Sequence, residues 1–118
     1  MKKIAALVLL LTVSICSAQE VAPKFEKSAD LVKATYYYQD GTIKEQGFFK
    51  DKKLTGKWVR YNKEGEKTMI AYYKAGKKVG KWFAWNKNTL KEINYANNTI
   101  VSVKNWNQAE TKLASNKK

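Results

Sequence analysis

The phrase GKWVRYNKEG (residues 56–65) returns twenty-four residues later as GKWFAWNKNT (residues 80–89). A fixed spacing of this kind indicates a repeat architecture, in which one structural unit is copied along the chain. A weaker third copy follows, with Tyr95 one residue early and Thr89 in the place of a glycine. The residues that keep the 24-residue register are Tyr37, Tyr61 and Trp85; Trp58, Trp82 and Trp106; Gly41 and Gly65; Gly56 and Gly80; and Phe48-Phe49 with Tyr72-Tyr73.

Each unit combines strand-like and turn-like segments. The segments KWVRYN (57–62) and MIAYYK (69–74) are short and rich in aromatic and β-branched residues, as strands are. The intervening segments contain Gly65 and Gly76, which can take positive φ in turns. The sequence therefore predicts an all-β fold, an extended single-layer meander of antiparallel β-hairpins that occupies residues 36–107.

The repeat is expected to place like residues beside like in the sheet. A single hairpin cannot bury its aromatic side chains alone, so neighbouring units must join in one sheet. Trp58, Trp82 and Trp106 are predicted to form a row. Trp58 and Tyr61 are three residues apart, so they should point to opposite faces. Both faces are therefore predicted to carry aromatic side chains, and one face is expected to stay partly open.

The segment from Tyr36 to Asn86 resembles tandem MORN repeats, in the divergent variant common in small bacterial proteins. That pattern is a Gly-x-Trp phrase, an aromatic residue three positions on, a turn with glycine, an aromatic pair and a second turn. The resemblance implies a quasi-linear array of hairpins. Chains that resemble this one often carry the label of a toxin–antitoxin system antitoxin of the YwqK family. The repeat-defining residues are Gly41, Gly56, Trp58, Tyr61, Gly65, Tyr72, Tyr73, Gly76, Gly80, Trp82, Trp85 and Trp106.

Residues 1–18 have the anatomy of a secretory signal peptide. A basic start (MKK) precedes an apolar run of 12 residues, Ile4 to Ile15, and the small residues that follow permit cleavage after Ala18. A run this short does not span a bilayer comfortably, which disfavours a transmembrane anchor. Lipidation of Cys16 is also less favoured, because a lipoprotein signal has a small residue where this chain has isoleucine. We expect an exported protein, either periplasmic or secreted.

The chain beyond the predicted signal peptide divides into a lead-in segment (19–35), the repeat domain (36–107) and a polar, Lys-rich tail (108–118). Loss of residues 1–18 lowers the formal net charge from +13 to +11 and leaves 100 residues without cysteine or histidine. Such a chain has no thiol nucleophile, imidazole base or disulfide, and no zinc site built on those residues. Glu64, Glu66 and Ser102 stand in no specific catalytic motif, so we expect no enzyme, no metal and no cofactor.

The basic residues around the repeated tryptophans form the candidate binding surface. Aromatic rings flanked by lysines can bind a partner, although packing within the sheet is the favoured explanation of the rings. The predicted partner is a protein or envelope component; an antitoxin-like function and a basic module that binds anionic membranes or polyanions weakly and salt-sensitively remain alternatives. Specific nucleic acid binding is disfavoured for an exported protein. The candidate residues are Lys57, Arg60, Lys74, Lys77, Lys78 and Lys81.

Overall fold

The structure is a computed structural model that describes residues 21–106. Strands make up 72% of the described residues and no helix occurs among them. They form one antiparallel sheet in the order β1-β2-β3-β4-β5-β7-β8-β9, with β6 paired to β5, which confirms the predicted all-β meander. The strands are β1 (Lys24–Ser28), β2 (Leu31–Tyr37), β3 (Ile43–Lys50), β4 (Lys53–Tyr61), β5 (Lys67–Lys74), β6 (Lys77–Lys78), β7 (Gly80–Asn86), β8 (Thr89–Ala96) and β9 (Thr99–Trp106).

The sheet begins earlier than the repeat pattern predicts. The predicted lead-in segment supplies β1 and most of β2, and Phe25 pairs with Ala34 in an ordinary antiparallel register. The lead-in is therefore a hairpin of the sheet, which starts at Lys24 rather than at residue 36. The predicted signal peptide (1–18) and the tail (108–118) lie outside the described residues.

Two-residue turns connect neighbouring strands at one end of the strands. We call this side of the sheet, which runs across the strand ends, the short-turn edge. Asp51-Lys52, Ala75-Gly76 and Asn97-Asn98 each have two positive φ angles, between 48° and 81°. This is the type I′ geometry, whose twist matches that of the flanking strands. The spacing between these turns is 24 residues and then 22, because the third unit of the array is shorter.

The opposite edge carries longer loops that repeat their hydrogen bonds. Tyr38 N donates to Thr42 O at 2.8 Å, and Asn62 N donates to Glu66 O at 2.9 Å. Gly41 and Gly65 close these loops with φ of 91° and 84°, and the value for Gly65 confirms the positive φ predicted for it. The third loop is replaced by a tight turn between Asn86 and Thr89.

The third hairpin, formed by β7 and β8, is shorter than the others. This changes the position predicted for Tyr95 in the repeat. Tyr95 pairs with Gly80 just as Tyr73 pairs with Gly56. Tyr95 is therefore the counterpart of Tyr73 and stands two residues early, not one. The third hairpin lacks the extra residue that shifts the register between β4 and β5, and its turn is one residue shorter.

The repeated Gly-Lys-Trp phrase forms the same bulge twice. Gln46 pairs with Val59 and Phe48 with Thr55, so Gly47 alone opposes the three residues of the first phrase. The second phrase opposes Ala71 in the same way, between the Ile70–Phe83 pair and the bond from Val79 N to Tyr72 O. The glycine of each phrase adopts positive φ, 68° and 74°, which a bulge of this kind requires.

Each bulge turns a tryptophan ring back across the preceding strand. Trp58 Nε1 donates to Phe48 O at 3.1 Å, and Trp82 Nε1 donates to Tyr72 O at 3.0 Å. A Cβ atom at Gly47 would overlap the indole of Trp58, so only glycine fits beneath that ring. The repeated phrase therefore has a structural role. In each copy the bulge places one indole over the preceding strand, Trp58 over β3 and Trp82 over β5.

Trp106 does not join the predicted row. It pairs with Leu90, whereas Trp82 pairs with Ile93, three residues further along the same strand. Because side chains alternate along a strand, Trp106 lies on the face opposite Trp82. The reason is that β9 contains no glycine to form the bulge that turns the other two rings.

Candidate binding face

The two faces of the sheet differ in how their aromatic side chains are packed. On the packed face, the rings of Phe49, Trp58, Tyr73, Trp82 and Tyr95 contact one another in a continuous ladder, with successive centroids 5.2, 6.4, 5.2 and 4.9 Å apart. The buried core lies here, formed by Ala34, Trp58, Ala71 and Trp82. Register and alternation place the rings of the open face, which are Tyr37, Phe48, Tyr61, Tyr72, Phe83, Trp85 and Trp106.

The packed face has little left to offer a partner. Trp58 and Trp82 are only 4% and 7% exposed, and both indole N–H groups are hydrogen-bonded to backbone carbonyls. Lys78 covers the end of the ladder, with its Nζ 5.2 Å from the ring centroid of Trp82 and 5.3 Å from that of Tyr95. These rings hold the sheet together, which is the structural explanation for the aromatic repeat.

The rings of the open face form no continuous ladder, although Leu90, which pairs with Trp85 and Trp106, is buried on this face. All seven rings are half-buried. Among the described residues, the only ring–ring contact on this face joins Phe83 and Trp85, at 6.2 Å. The exposed lysines Lys57, Lys74 and Lys81 alternate with these rings along the strands. Aromatic surface of this kind is enriched at protein interfaces.

The structure divides the six predicted binding residues between the faces. Lys57, Lys74, Lys77 and Lys81 belong to the open face by their register, whereas Arg60 and Lys78 belong to the packed face. The six residues therefore do not share one face of the sheet, because residues an odd number of positions apart along a strand point to opposite sides.

Two of these residues are already neutralised by neighbouring acids. Arg60 Nη2 lies 3.7 Å from Glu45 Oε2, and Lys81 Nζ lies 3.8 Å from Glu92 Oε2. Exposed pairs of this kind contribute little to stability, but they reduce the charge available to a ligand. The basic character of the open face therefore concentrates elsewhere.

A basic groove lies on the open face at the short-turn edge. It has a volume of about 400 Å³ and is lined by Lys50, Asp51, Lys53, Thr55, Lys74 and Ala75. Lys50 and Lys53 were absent from the predicted surface. The run Lys50-Asp51-Lys52-Lys53 is a usable signal for them, because the 24-residue repeat places Lys74 in the position of Lys50.

Like charges face each other directly at this groove. Lys50 pairs across the strands with Lys53, and Lys74 pairs with Lys77. Like charges in directly opposed positions destabilise a sheet. One neighbour offsets part of this charge, since Lys50 Nζ lies 3.4 Å from Asp30 Oδ2. Within residues 21–106, Lys53, Lys74 and Lys77 form no salt bridge.

A second groove of about 390 Å³ lies at the loop edge, against the ring of Tyr38. Lys44 and Lys63 place their Nζ atoms 5.8 and 5.9 Å from the centroid of that ring. In the same loop, hydrogen bonds from Thr42, with a smaller contribution from the charge of Lys63, lower the pKa of Asp40 below its ordinary value. Both grooves therefore have a carboxylate beside their lysines, Asp40 at the loop edge and Asp51 at the short-turn edge.

The residues considered for catalysis lie in two places, Glu64 and Glu66 in the loop at Asn62 and Ser102 on β9. Ser102 is exposed on the edge strand β9. Glu66 is held in its loop, where its Oε1 accepts a hydrogen bond from Asn62 Nδ2 at 3.0 Å. The described part of the chain brings together no group of three acidic, His or Cys residues that could hold a metal ion.

Comparison with protein-family models, with curated proteins and with solved structures finds no match. Within residues 21–106, no helix has the length and apolarity needed to cross a membrane.

Proposed function

We propose that this chain is an exported, non-enzymatic MORN-like repeat protein that binds an acidic protein or envelope component through its open face. The observation that carries the proposal is the pair of directly opposed lysine pairs, Lys50–Lys53 and Lys74–Lys77, at the basic groove. These pairs cost the isolated sheet stability. An anionic group in the groove would relieve that repulsion.

The groove and the adjoining rings have complementary roles in binding. Lysine ammonium groups attract a negative ligand from a distance, an effect screened beyond about 10 Å at 0.1 M salt. The half-buried rings of Tyr72 and Phe48 lie on the strands that carry Lys74 and Lys50, and they provide apolar contact area. An acidic segment with aromatic or aliphatic side chains fits this combination.

Titration of the chain 19–118 with soluble polyglutamate tests the groove. The variant Lys53→Gln/Lys74→Gln removes one lysine of each opposed pair. The matched control Lys67→Gln/Lys91→Gln removes the same charge from exposed positions outside the groove. We expect the groove variant to weaken binding at least tenfold in isothermal titration calorimetry, and the control to weaken it less than threefold. Equal losses in both variants would show that net charge alone attracts the ligand.

Thermal stability provides an independent readout of the same idea. In low salt and without ligand, the groove variant should unfold at a higher temperature than the parent chain, because it removes like-charge repulsion. The control variant should unfold at the parent temperature. A lower unfolding temperature for the groove variant would mean that these lysines stabilise the sheet, and it would contradict a binding role.

Two further experiments test export and the class of partner. Mass spectrometry of the natural product should find a chain without residues 1–18, and an intact Met1 in a cytoplasmic pool would contradict export.

Crosslinking of the chain in its native envelope should capture an envelope component. A dedicated toxin as the dominant partner would instead support the antitoxin-like function.

A further inference from the structure

The two edge strands of the sheet have opposite characters. The outer edge at β1 carries three charged residues in five positions, Lys24, Glu26 and Lys27, which discourage pairing with another strand. The outer edge at β9 carries no charge from Thr99 to Val103. Within this stretch, Ile100, Val101 and Val103 are 55%, 61% and 50% exposed. An exposed edge strand whose first five residues carry no charge is a template for pairing with another strand.

We propose that β9 is a dimerisation edge, on which β9 of a second copy of this chain pairs antiparallel to continue the sheet. The proposal goes beyond the proposed function and does not depend on it. Antiparallel pairing of identical strands has two-fold symmetry, so it closes as a dimer and leaves no free β9 edge. Within residues 21–106 the outer side of β9 pairs with no strand, and in the dimer its backbone groups find partners in the second copy.

The sequence of β9 is complementary to itself in one register. With the two-fold axis at Ser102, Val101 of each copy lies opposite Val103 of the other. Val103 pairs with Ile93 within the chain, which places the two Val103 side chains on the packed face, and Val101 is the extra residue at the register shift of β9. Apolar side chains in directly opposed positions stabilise a sheet. Dimerisation therefore extends the apolar surface of the packed face across the junction.

The charges near β9 favour the antiparallel arrangement. In the Ser102 register, the two Lys104 side chains are four residues apart along the junction. This is a distance of about 14 Å, because an antiparallel strand rises about 3.4 Å per residue. A parallel pair would bring the two Lys104 side chains together. Pairing of β9 with β1 of another copy would place its apolar stretch against Lys24 and Lys27.

Sedimentation equilibrium of the chain 19–118 tests the proposal. The parent chain should show twice the monomer mass. Val101→Lys introduces a charge into the junction and should give the monomer mass, with an unchanged far-UV circular dichroism spectrum. The matched control Phe25→Lys places the same charge on the β1 edge and should remain dimeric. A monomeric parent chain, a dimeric Val101→Lys variant or a monomeric, folded Phe25→Lys variant would each overturn the proposal.

Disulfide formation tests the register without a destabilising charge. The chain 19–118 has no cysteine, so a single introduced thiol can form a disulfide only with the same thiol of a second copy. Ser102→Cys places the two thiols directly opposite, with Cβ atoms about 5 Å apart, and mild oxidation should give a covalent dimer. Asn105→Cys places them six residues apart, about 20 Å, and should stay monomeric under the same conditions. Crosslinking of Asn105→Cys in preference to Ser102→Cys, or of neither, would contradict this register and the proposed edge.

Discussion

Gly47 lies beneath the indole of Trp58, and its lack of a Cβ atom allows that ring to take its position in the core. The residue has ordinary strand φ, yet a Cβ atom would overlap the indole of Trp58. Gly47→Ala should therefore destabilise the fold by about 1–3 kcal/mol, the usual cost of overpacking a core. Urea denaturation followed by tryptophan fluorescence measures this cost.

The cause of that cost can be separated from the general effect of losing a glycine. In a Trp58→Phe background, where the smaller ring leaves space, Gly47→Ala should cost less than half as much. The difference is a coupling energy between two residues in contact. An equal cost in both backgrounds would show that the indole contact is not responsible.

Trp82 and Trp85 should respond differently to truncation, although both belong to the repeat. Trp82 is buried on the packed face, whereas Trp85 is half-buried on the open face. Trp82→Ala should cost about 3–5 kcal/mol, as expected for a large buried ring. Trp85→Ala should cost less than half of that in the same urea denaturation. A larger loss for Trp85→Ala would contradict the assignment of the two faces.

Tyr73 should make the fold sensitive to alkaline pH. Burial raises the pKa of its hydroxyl above the ordinary value of 10.0, and the nearby Glu45 carboxylate adds to the effect. Because the raised pKa belongs to the folded state, this contribution to stability is complete below pH 10 and is lost as pH rises through the folded pKa. The free energy of unfolding should fall above pH 10, and less steeply in Tyr73→Phe. An equal fall in that variant would assign the effect to other tyrosines.

At the scale of the element, the type I′ turns tolerate residues that do not favour them. Ala75 adopts φ of 49°, a left-handed conformation that costs an ordinary L-residue roughly 1–2 kcal/mol. Asparagine adopts this conformation more easily. Ala75→Asn should therefore stabilise the chain by about 1 kcal/mol, which thermal or urea denaturation measures.

The third turn supplies the matched control. Asn97 occupies the same turn position with φ of 48°. Asn97→Ala should destabilise the chain by a similar amount, and a gain in stability would contradict the turn argument. Asn98 is less suitable for this comparison, because its backbone N and side-chain Oδ1 also bond Lys78 O and Lys78 N.

For the whole molecule, stability should decline from the centre of the sheet to its edges. Each strand pairs only with its neighbours, so the array is nearly one-dimensional. The core residues Trp58, Ala71 and Trp82 lie on the central strands β4, β5 and β7. Amide hydrogen exchange should therefore be slowest in these strands and fastest in β1, because local opening needs fewer contacts to break at an edge. Uniform protection across the sheet would indicate a single cooperative core instead.

The amino-acid sequence by itself determined the all-β class and the repeating unit. Short aromatic and β-branched segments separated by glycine turns favour antiparallel hairpins. The turn positions of Gly41, Gly65 and Gly76 follow from the same local chemistry, since positive φ is a property of a single residue. The lysine run at residues 50–53 also lies at a turn, as its composition predicts.

Only the tertiary structure decided which side chains share a face. The bulges at Gly56 and Gly80 and the shortened third hairpin alter the register, and a shift of one residue moves a side chain to the other side of the sheet. For this reason Trp106 lies on the face opposite Trp58 and Trp82. The residues of the predicted basic surface are likewise divided between the open face and the packed face. Strand pairing then assembled the basic groove from Lys50, Lys53 and Lys74, because side chains distant in sequence become neighbours only through backbone hydrogen bonds between strands.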